Sequence, residues 1–371
     1  MSRMAGAPKV ALVHDWLTGM RGGERVLEAI CEVFPAAPLF TLIHVPGSVS
    51  PRLEARQPRA SVLNRLPGVA RYYRFCLPVF PFAIEQFDLD EFDLVISTSH
   101  CAAKAIVRPG RARHLCYCHT PMRYVWDQWP VYFGRDRVGA VAHRALRPVL
   151  AGLARWDRTT AARVDRFVAN SHYVAERIRR YYNRASSVVY PPVDTAFFRP
   201  GDAESDRYFL MVTALSPYKR IDLALDAARQ VGVPLKIVGF GPERGRLERQ
   251  AGPGVEFLGH QSDAEVRELY RRAAGVLQTS EEDFGIVPVE AQACGRPVVA
   301  LARGGAIESV VDGVTGVLVA DQTAQAFADG ISRAMATRFD ADLIRSHALR
   351  FSRERFAAEF SALAADTLAR T

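Results

Sequence analysis

The sequence predicts an α/β protein made of two doubly wound, Rossmann-like domains. Three observations lead there. Short β-branched strands alternate with amphipathic helical stretches along the chain; one Pro- and Gly-punctuated passage at 188–202 interrupts that alternation; and 371 residues with 49% hydrophobic and 24% charged content are enough to bury two cores. Strand–helix alternation of this kind favours parallel sheets covered by helices on both faces.

In chain order, "KVALVH" (9–14) reads as a strand, and "GGERVLEAICEVF" (22–34) places Val26, Leu27, Ile30 and Val33 on one helical face. The next clear strands are "DLVISTS" (93–99) and "HLCYCHT" (114–120). Much of 140–181 is helical, broken near Val168–Ser171 by a strand-like stretch, with Asn170 and Ser171 as the following cap. After the 188–202 passage a second series begins: strand "YFLMVTAL", helix "RIDLALDAARQV", strand "PLKIVGFG", helix "RGRLERQA", strand "VEFLGH", helix "DAEVRELYRRA" and strand "GVLQTS". "PVVAL", "IESVVD" and "GVLVA" continue it. The expected domains are 1–187 and 188–349, with a closing helix in 350–371.

Composition removes several classes. The longest strongly apolar uncharged run, "FCLPVFPFAI" (75–84), is too short to span a bilayer, and no apolar h-region precedes Asp15, so neither a transmembrane helix nor a signal peptide is expected. Six cysteines show no C-x-x-C pair and no zinc-finger spacing; buried free thiols of a reducing cytoplasm are the expectation. The net charge of +8 is concentrated, since residues 111–185 hold 15 arginines against five acidic residues. Such a field attracts polyanions. Nucleic acid ranks last among them, because no RNP signature, zinc finger or base-reading basic helix is present. "DLD" (88–90) has the form of a metal-binding D-x-D, but its apolar flanks favour a solvated turn, and no metal site is expected.

Ligands of doubly wound sheets bind beyond the C-terminal ends of the strands. The loops there include "HDWLTGMRGGER", "CHTPMR", "ALSPYKR", "GFGPER" and, after "GVLQTS", the stretch "EEDFGIVPVEAQACG". Pro288 suits a first helical turn, and helical side chains lean toward the N-terminus, so Glu290 points back toward the loop holding Glu282. Between the two carboxylates, the backbone NH groups of Phe284, Gly285, Ile286 and Val287 lie where helix donors and dipole favour a phosphate. A phosphate flanked by hydroxyl-binding carboxylates describes a sugar nucleotide, with Glu290 on the ribose diol and Glu282 on the sugar. Lys219 and Arg220 offer cations to a diphosphate. Gly22 and Gly23 allow close backbone approach, and Gly239 and Gly241 follow a strand in a weak G-x-G that equally suits a tight turn.

In this order, "SPYKRIDLALDAA", "IVGFGPE", "VEFLGH", "EEDFGIVPVEAQACGRPVVA" and "GGAIESVVDGVTGVLV" resemble retaining glycosyltransferase family 4 with its E-x7-E signature. The resemblance is strong over about 205–320. "HDWLTGMRGGER" and "CHTPMRYVWD" are similar to a subgroup of bacterial O-antigen and exopolysaccharide mannosyltransferases. The resemblance implies a GT-B fold, with the two domains facing a central cleft and the final helix crossing back to the first, retention of anomeric configuration, and GDP-mannose as donor with no metal or other cofactor. By position, Glu282 contacts the donor sugar, Glu290 holds the ribose, Lys219 serves the diphosphate and His119 lies beside the transferred sugar. Where the family often has arginine, five residues before the lysine, this chain has Ala214, and Arg220 is expected to take over that charge.

The expected reaction is front-face attack by an acceptor hydroxyl as the nucleoside diphosphate leaves, stabilised by Lys219, Arg220 and the helix N-terminus. The expected acceptor is a glycan or a polyprenyl-diphosphate-linked glycan. Arginines in 111–185 and the segment "RLPGVARYYRFCLPVFPF" (65–82) suit peripheral contact with an anionic membrane from the cytoplasmic side. Rival readings are a UDP-sugar donor, an epimerase or hydrolase in the same site, and a non-catalytic nucleotide-sugar binder. A nicotinamide dehydrogenase is disfavoured because "VALVHDWLTGMRGG" lacks G-x-G-x-x-G after its first strand.

Overall fold

The computed structural model describes residues 8–129, 133–201 and 205–369. The chain divides into two compact units, Met1–Tyr190 with Phe356–Thr371, and Pro191–Arg355.

The first unit is built on seven strands: β1 (Val10–Leu17), β2 (Leu39–His44), β3 (Arg59–Ala60), β4 (Leu94–Ser99), β5 (Arg113–Cys118), β6 (Arg166–Ala169) and β7 (Ser186–Val188), in the order β3-β2-β1-β4-β5-β6-β7. All pairings are parallel. Strands of such a sheet are covered on both faces and read as continuous apolar runs. That explains why β2, "LFTLIH", carries no alternation to reveal it: five of its six residues are buried. The pattern predicts no strand between 34 and 93, and the structure places β2 and β3 there.

Helices form where the local chemistry asks for them. The helix Gly22–Val33 buries Val26, Leu27 and Ile30, and Glu24 accepts from the Arg21 backbone NH at 3.0 Å, closing its first turn. Ser171 caps the helix His172–Tyr182 by accepting from Val174 N at 3.0 Å, and Asn183 ends it in the left-handed conformation. The helix Arg353–Ala369 packs Phe356 and Phe360 edge-to-face against Tyr117 of β5, with centroids 5.8 and 6.1 Å away.

The second unit has six strands: β8 (Phe209–Val212), β9 (Leu235–Val238), β10 (Val255–Gly259), β11 (Gly275–Gln278), β12 (Val298–Leu301) and β13 (Gly316–Val319), in the order β10-β9-β8-β11-β12-β13 and all parallel. This is the 3-2-1-4-5-6 order of a dinucleotide-binding sheet. The strand order reverses between β8 and β11 here and between β1 and β4 in the first unit, and at such a point the loops leave the sheet in opposite directions and open a crevice. The expected fold class of two Rossmann-like domains is therefore the one observed. In the "DLD" segment Asp88 and Asp90 are exposed while Leu89 is buried, and Asp88 accepts from Asp90 N at 3.1 Å.

Candidate active site

At the crevice of the second unit, the loop after β8 carries Lys219 and the loop after β11 carries Glu282. Lys219 Nζ donates to Glu282 Oε1 at 2.6 Å, and Ser280 Oγ donates to the same oxygen at 2.5 Å. Thr279 Oγ1 donates to the Lys219 carbonyl at 2.7 Å, tying the two loops together through the backbone as well. The ion pair is only partly buried, so it does more to orient two side chains than to stabilise the fold.

The Glu282 loop is fixed from its other side. Gly305 N donates to the Glu282 carbonyl at 2.8 Å, and Glu282 pairs with Gly304 in an isolated bridge. A Cβ on Gly304 would lie 2.2 Å from Glu282 O, and one on Gly305 would lie 2.3 Å from Phe284 Cα. Only glycines permit this approach. Sequence reasoning quoted "GGAIESV" as part of a pattern but missed its role in holding the carboxylate loop, because that role depends on packing.

The loop runs into the helix Ile286–Ala293, preceded by Gly285 at φ +85° with no side-chain cap. Two turns of chain beyond Glu282, Glu290 is buried and accepts from the Tyr270 hydroxyl at 3.0 Å. Phe284, Gly285, Ile286, Val287 and Glu290 therefore belong to one loop–helix junction, as the sequence predicts. Arg220 differs from expectation. It takes a left-handed conformation (φ +50°) at the start of the helix Ile221–Val231, and its guanidinium grips Asp222 through contacts of 2.9 to 3.2 Å. Lys219 is the cation of this loop that faces Glu282. Gly239 and Gly241 are demanded by packing, since Cβ atoms there would lie 1.9 Å from Thr213 O and 2.4 Å from Leu215 O.

The first unit carries a second polar cluster at its own crevice. His119 follows β5, and its Nε2 is buried with no hydrogen-bond partner. Burial, followed by the neighbouring charges of His100 and His14, lowers its pKa to about 3, so the ring is neutral at ordinary pH. Gly23, next to Gly22 at the start of its helix, lies against this nitrogen: a Cβ there would stand 3.5 Å from Nε2. The structure thus brings Gly23 and His119 together.

Sequence reasoning did not single out the rest of the cluster. His14 Nδ1 lies 2.6 Å from Thr98 Oγ1, and its Nε2 lies 3.9 Å from Glu24 Oε1. Buried Asp15 accepts from the backbone NH groups of His100 (2.6 Å), Cys101 (2.9 Å), Ala102 (2.6 Å) and Ala103 (2.6 Å), and lies 3.0 Å from His100 Nδ1. Burial pushes its carboxyl up, but the charge and hydrogen bonds of His100 and the charge of His14 outweigh that and hold it well below the usual carboxylate range. The available signal was polar residues, "HD" and "TSH", ending otherwise apolar strands. Among the described residues, no group of three or more His, Cys, Asp or Glu side chains is placed to hold a metal ion.

Comparison with known proteins shows what a chain with two parallel doubly wound units and a lysine–glutamate pair at the crevice of the second resembles. Residues 20–197 match Glycosyltransferase Family 4 and residues 193–350 match Glycosyl transferases group 1, so the chain belongs to the GT-B glycosyltransferases that combine these two domains. D-inositol 3-phosphate glycosyltransferase of Mycobacterium tuberculosis is 30% identical over 287 residues, covering 66% of this chain and 59% of that protein. The chain thus spans about 59% of the length of the curated relatives it matches. Among solved structures, Anabaena Alr3699/HepE in complex with UDP superposes with a TM-score of 0.72 at 21% identity, covering 96% of this chain and 100% of that one. Sucrose-phosphate synthase from Thermosynechococcus elongatus gives a TM-score of 0.71 at 18% identity, covering 98% and 100%. These share the fold.

Proposed function

We propose that this protein is a retaining glycosyltransferase that moves a hexose from a nucleoside-diphosphate sugar to a hydroxyl group of a glycan. The observation that carries this reading is the Lys219–Glu282 pair at the β8/β11 crevice, next to the junction bearing Gly285 and Glu290. In this reading the helix N-terminus and Lys219 hold the diphosphate and stabilise its charge as it leaves. Glu290 accepts from the ribose diol, Glu282 contacts the sugar near its anomeric carbon, and neutral His119 offers a hydrogen bond to a sugar hydroxyl. The acceptor hydroxyl attacks from the face that the diphosphate leaves. No metal is assigned to the reaction.

GDP-mannose is the proposed donor, on the resemblance of "HDWLTGMRGGER" and "CHTPMRYVWD" to mannosyltransferases. A uridine donor is the second reading, favoured by the fold shared with the Anabaena protein solved with UDP and with UDP-glucose. The proposed acceptor is a lipid-linked glycan at the surface of an anionic membrane, reached by peripheral contact.

Thermal stabilisation by GDP, UDP, ADP and dTDP, each with EDTA present, tests the donor site. A nucleotide at about 100 times its dissociation constant adds roughly 2.7 kcal/mol of stability. Selective stabilisation by GDP that is lost in Glu290→Ala is the expected result. Preference for UDP replaces mannose by the second reading, and no response to any nucleotide overturns the function.

A further inference from the structure

Resting on the glycosyltransferase reading, we infer that His100, oriented by Asp15, forms a hydroxyl-binding site of the first unit that receives the acceptor glycan. The pair sits where the strand order reverses: Asp15 lies near the end of β1, and His100 directly follows β4. Crevices at that position are where doubly wound sheets bind ligands.

The chemistry of the pair fixes the ring. An ionised carboxylate can only accept, so the proton between Asp15 Oδ2 and His100 Nδ1, 3.0 Å apart, belongs to the imidazole. Nε2, on the side of the ring away from Asp15, is then the nitrogen left to meet an O–H group of a ligand. Two further restraints hold it. The edge-on Trp16 ring stands 4.5 Å away between centroids, and the four backbone donors that bind Asp15 include the NH of His100 itself.

Unlike His14, which is fully buried against Thr98 and Glu24, His100 keeps 24% of its side chain open to solvent. Its neighbour His119 lies 6.3 Å away between centroids and has an unsatisfied Nε2 of its own. An anionic ligand is disfavoured, because the Asp15 carboxylate lies 3.0 Å from His100 Nδ1. Asp15 acts as a positioning residue: it sets the tautomer and angle of His100 without touching the ligand.

The test follows imidazole nitrogen resonances of the full-length, isotope-labelled protein, assigned with His100→Asn, His119→Asn and His14→Asn. Methyl α-mannoside, methyl α-glucoside and methyl α-N-acetylglucosaminide serve as probes. The free protein is expected to show His100 protonated on Nδ1, and at least one glycoside is expected to move its Nε2 resonance while leaving that of buried His114 in place. Asp15→Asn is expected to shift the proton to Nε2 and abolish the response. Should that variant not fold, His100→Asn carries the test, because its amide still donates to Asp15; it is expected to melt like the wild type and to bind the responding glycoside at least tenfold more weakly. Absence of a proton on Nδ1 in the wild type, or no response to any glycoside, overturns the inference. Nucleotide stabilisation measured on the same samples separates the outcomes: nucleotide binding without a glycoside response removes the His100 site alone, and loss of both removes the glycosyltransferase reading.

Discussion

Gly23 shows what a single missing side chain does at the residue scale. It does not sit in left-handed backbone, so alanine is conformationally acceptable, and the new methyl would make an ordinary contact 3.5 Å from His119 Nε2. In the first turn of a helix, alanine is favoured over glycine by up to about 1 kcal/mol. Gly23→Ala is therefore expected to leave the melting temperature unchanged or raise it, while lowering hexosyl transfer at least tenfold by taking the space through which a ligand would reach the buried nitrogen. A folded variant with normal turnover would show that no ligand approaches His119 from this side. Of the residues nominated by sequence, Gly23 and His119 could be named separately, yet nothing in the sequence says that they touch, because 96 positions of chain fold between them. Arg220 marks the reverse case: its charge was legible, and Asp222, two residues on, takes it up.

At the scale of elements, the decisive object is the loop between β11 and the helix Ile286–Ala293. Its path depends on Gly304 and Gly305, whose backbone lies directly against Glu282 and Phe284. Gly305→Ala must push these segments apart, at a cost of about 1–3 kcal/mol for overpacking. The expected result is a lower unfolding midpoint together with weakened nucleotide stabilisation, since the displaced loop carries Glu282. If the variant melts like the wild type and still binds nucleotide, the loop is not held by this packing. Periodicity located most helices, and short β-branched apolar runs located many strands, because caps such as Ser171, amphipathic faces such as that of Gly22–Val33 and such runs are local signals. It missed β2, whose residues are buried on both faces and so carry no alternation.

For the molecule as a whole, charge and exposed apolar surface bear on the proposed membrane contact. Residues 55–84 contain five arginines and no acidic residue, and there Phe75 and Phe82 are 83% and 63% exposed, close in sequence to exposed Arg65, Arg71 and Arg74. No helix of the described residues is long and apolar enough to cross a membrane. Aromatic side chains beside basic ones suit an anionic lipid surface, where each cation near the headgroups is worth about 1 kcal/mol. The protein is expected to sediment with phosphatidylglycerol vesicles at low salt, to be released at high salt, and to lose most of that binding in a Phe75→Ser/Phe82→Ser variant. Equal sedimentation with neutral vesicles, or none with anionic ones, would remove the membrane contact from the proposed function.

The sequence by itself determined the two-domain α/β architecture and the loop–helix junction with Glu282 and Glu290. Both of these rest on contacts between near neighbours in the chain or on patterns repeated along it. Only the tertiary structure decided which groups meet. Parallel strands are joined through crossover helices, so residues brought together at their ends are far apart in sequence: 63 positions for Lys219 and Glu282, and 85 for Asp15 and His100. Spacing along a chain holds no record of such pairings, and they arise when the sheets assemble.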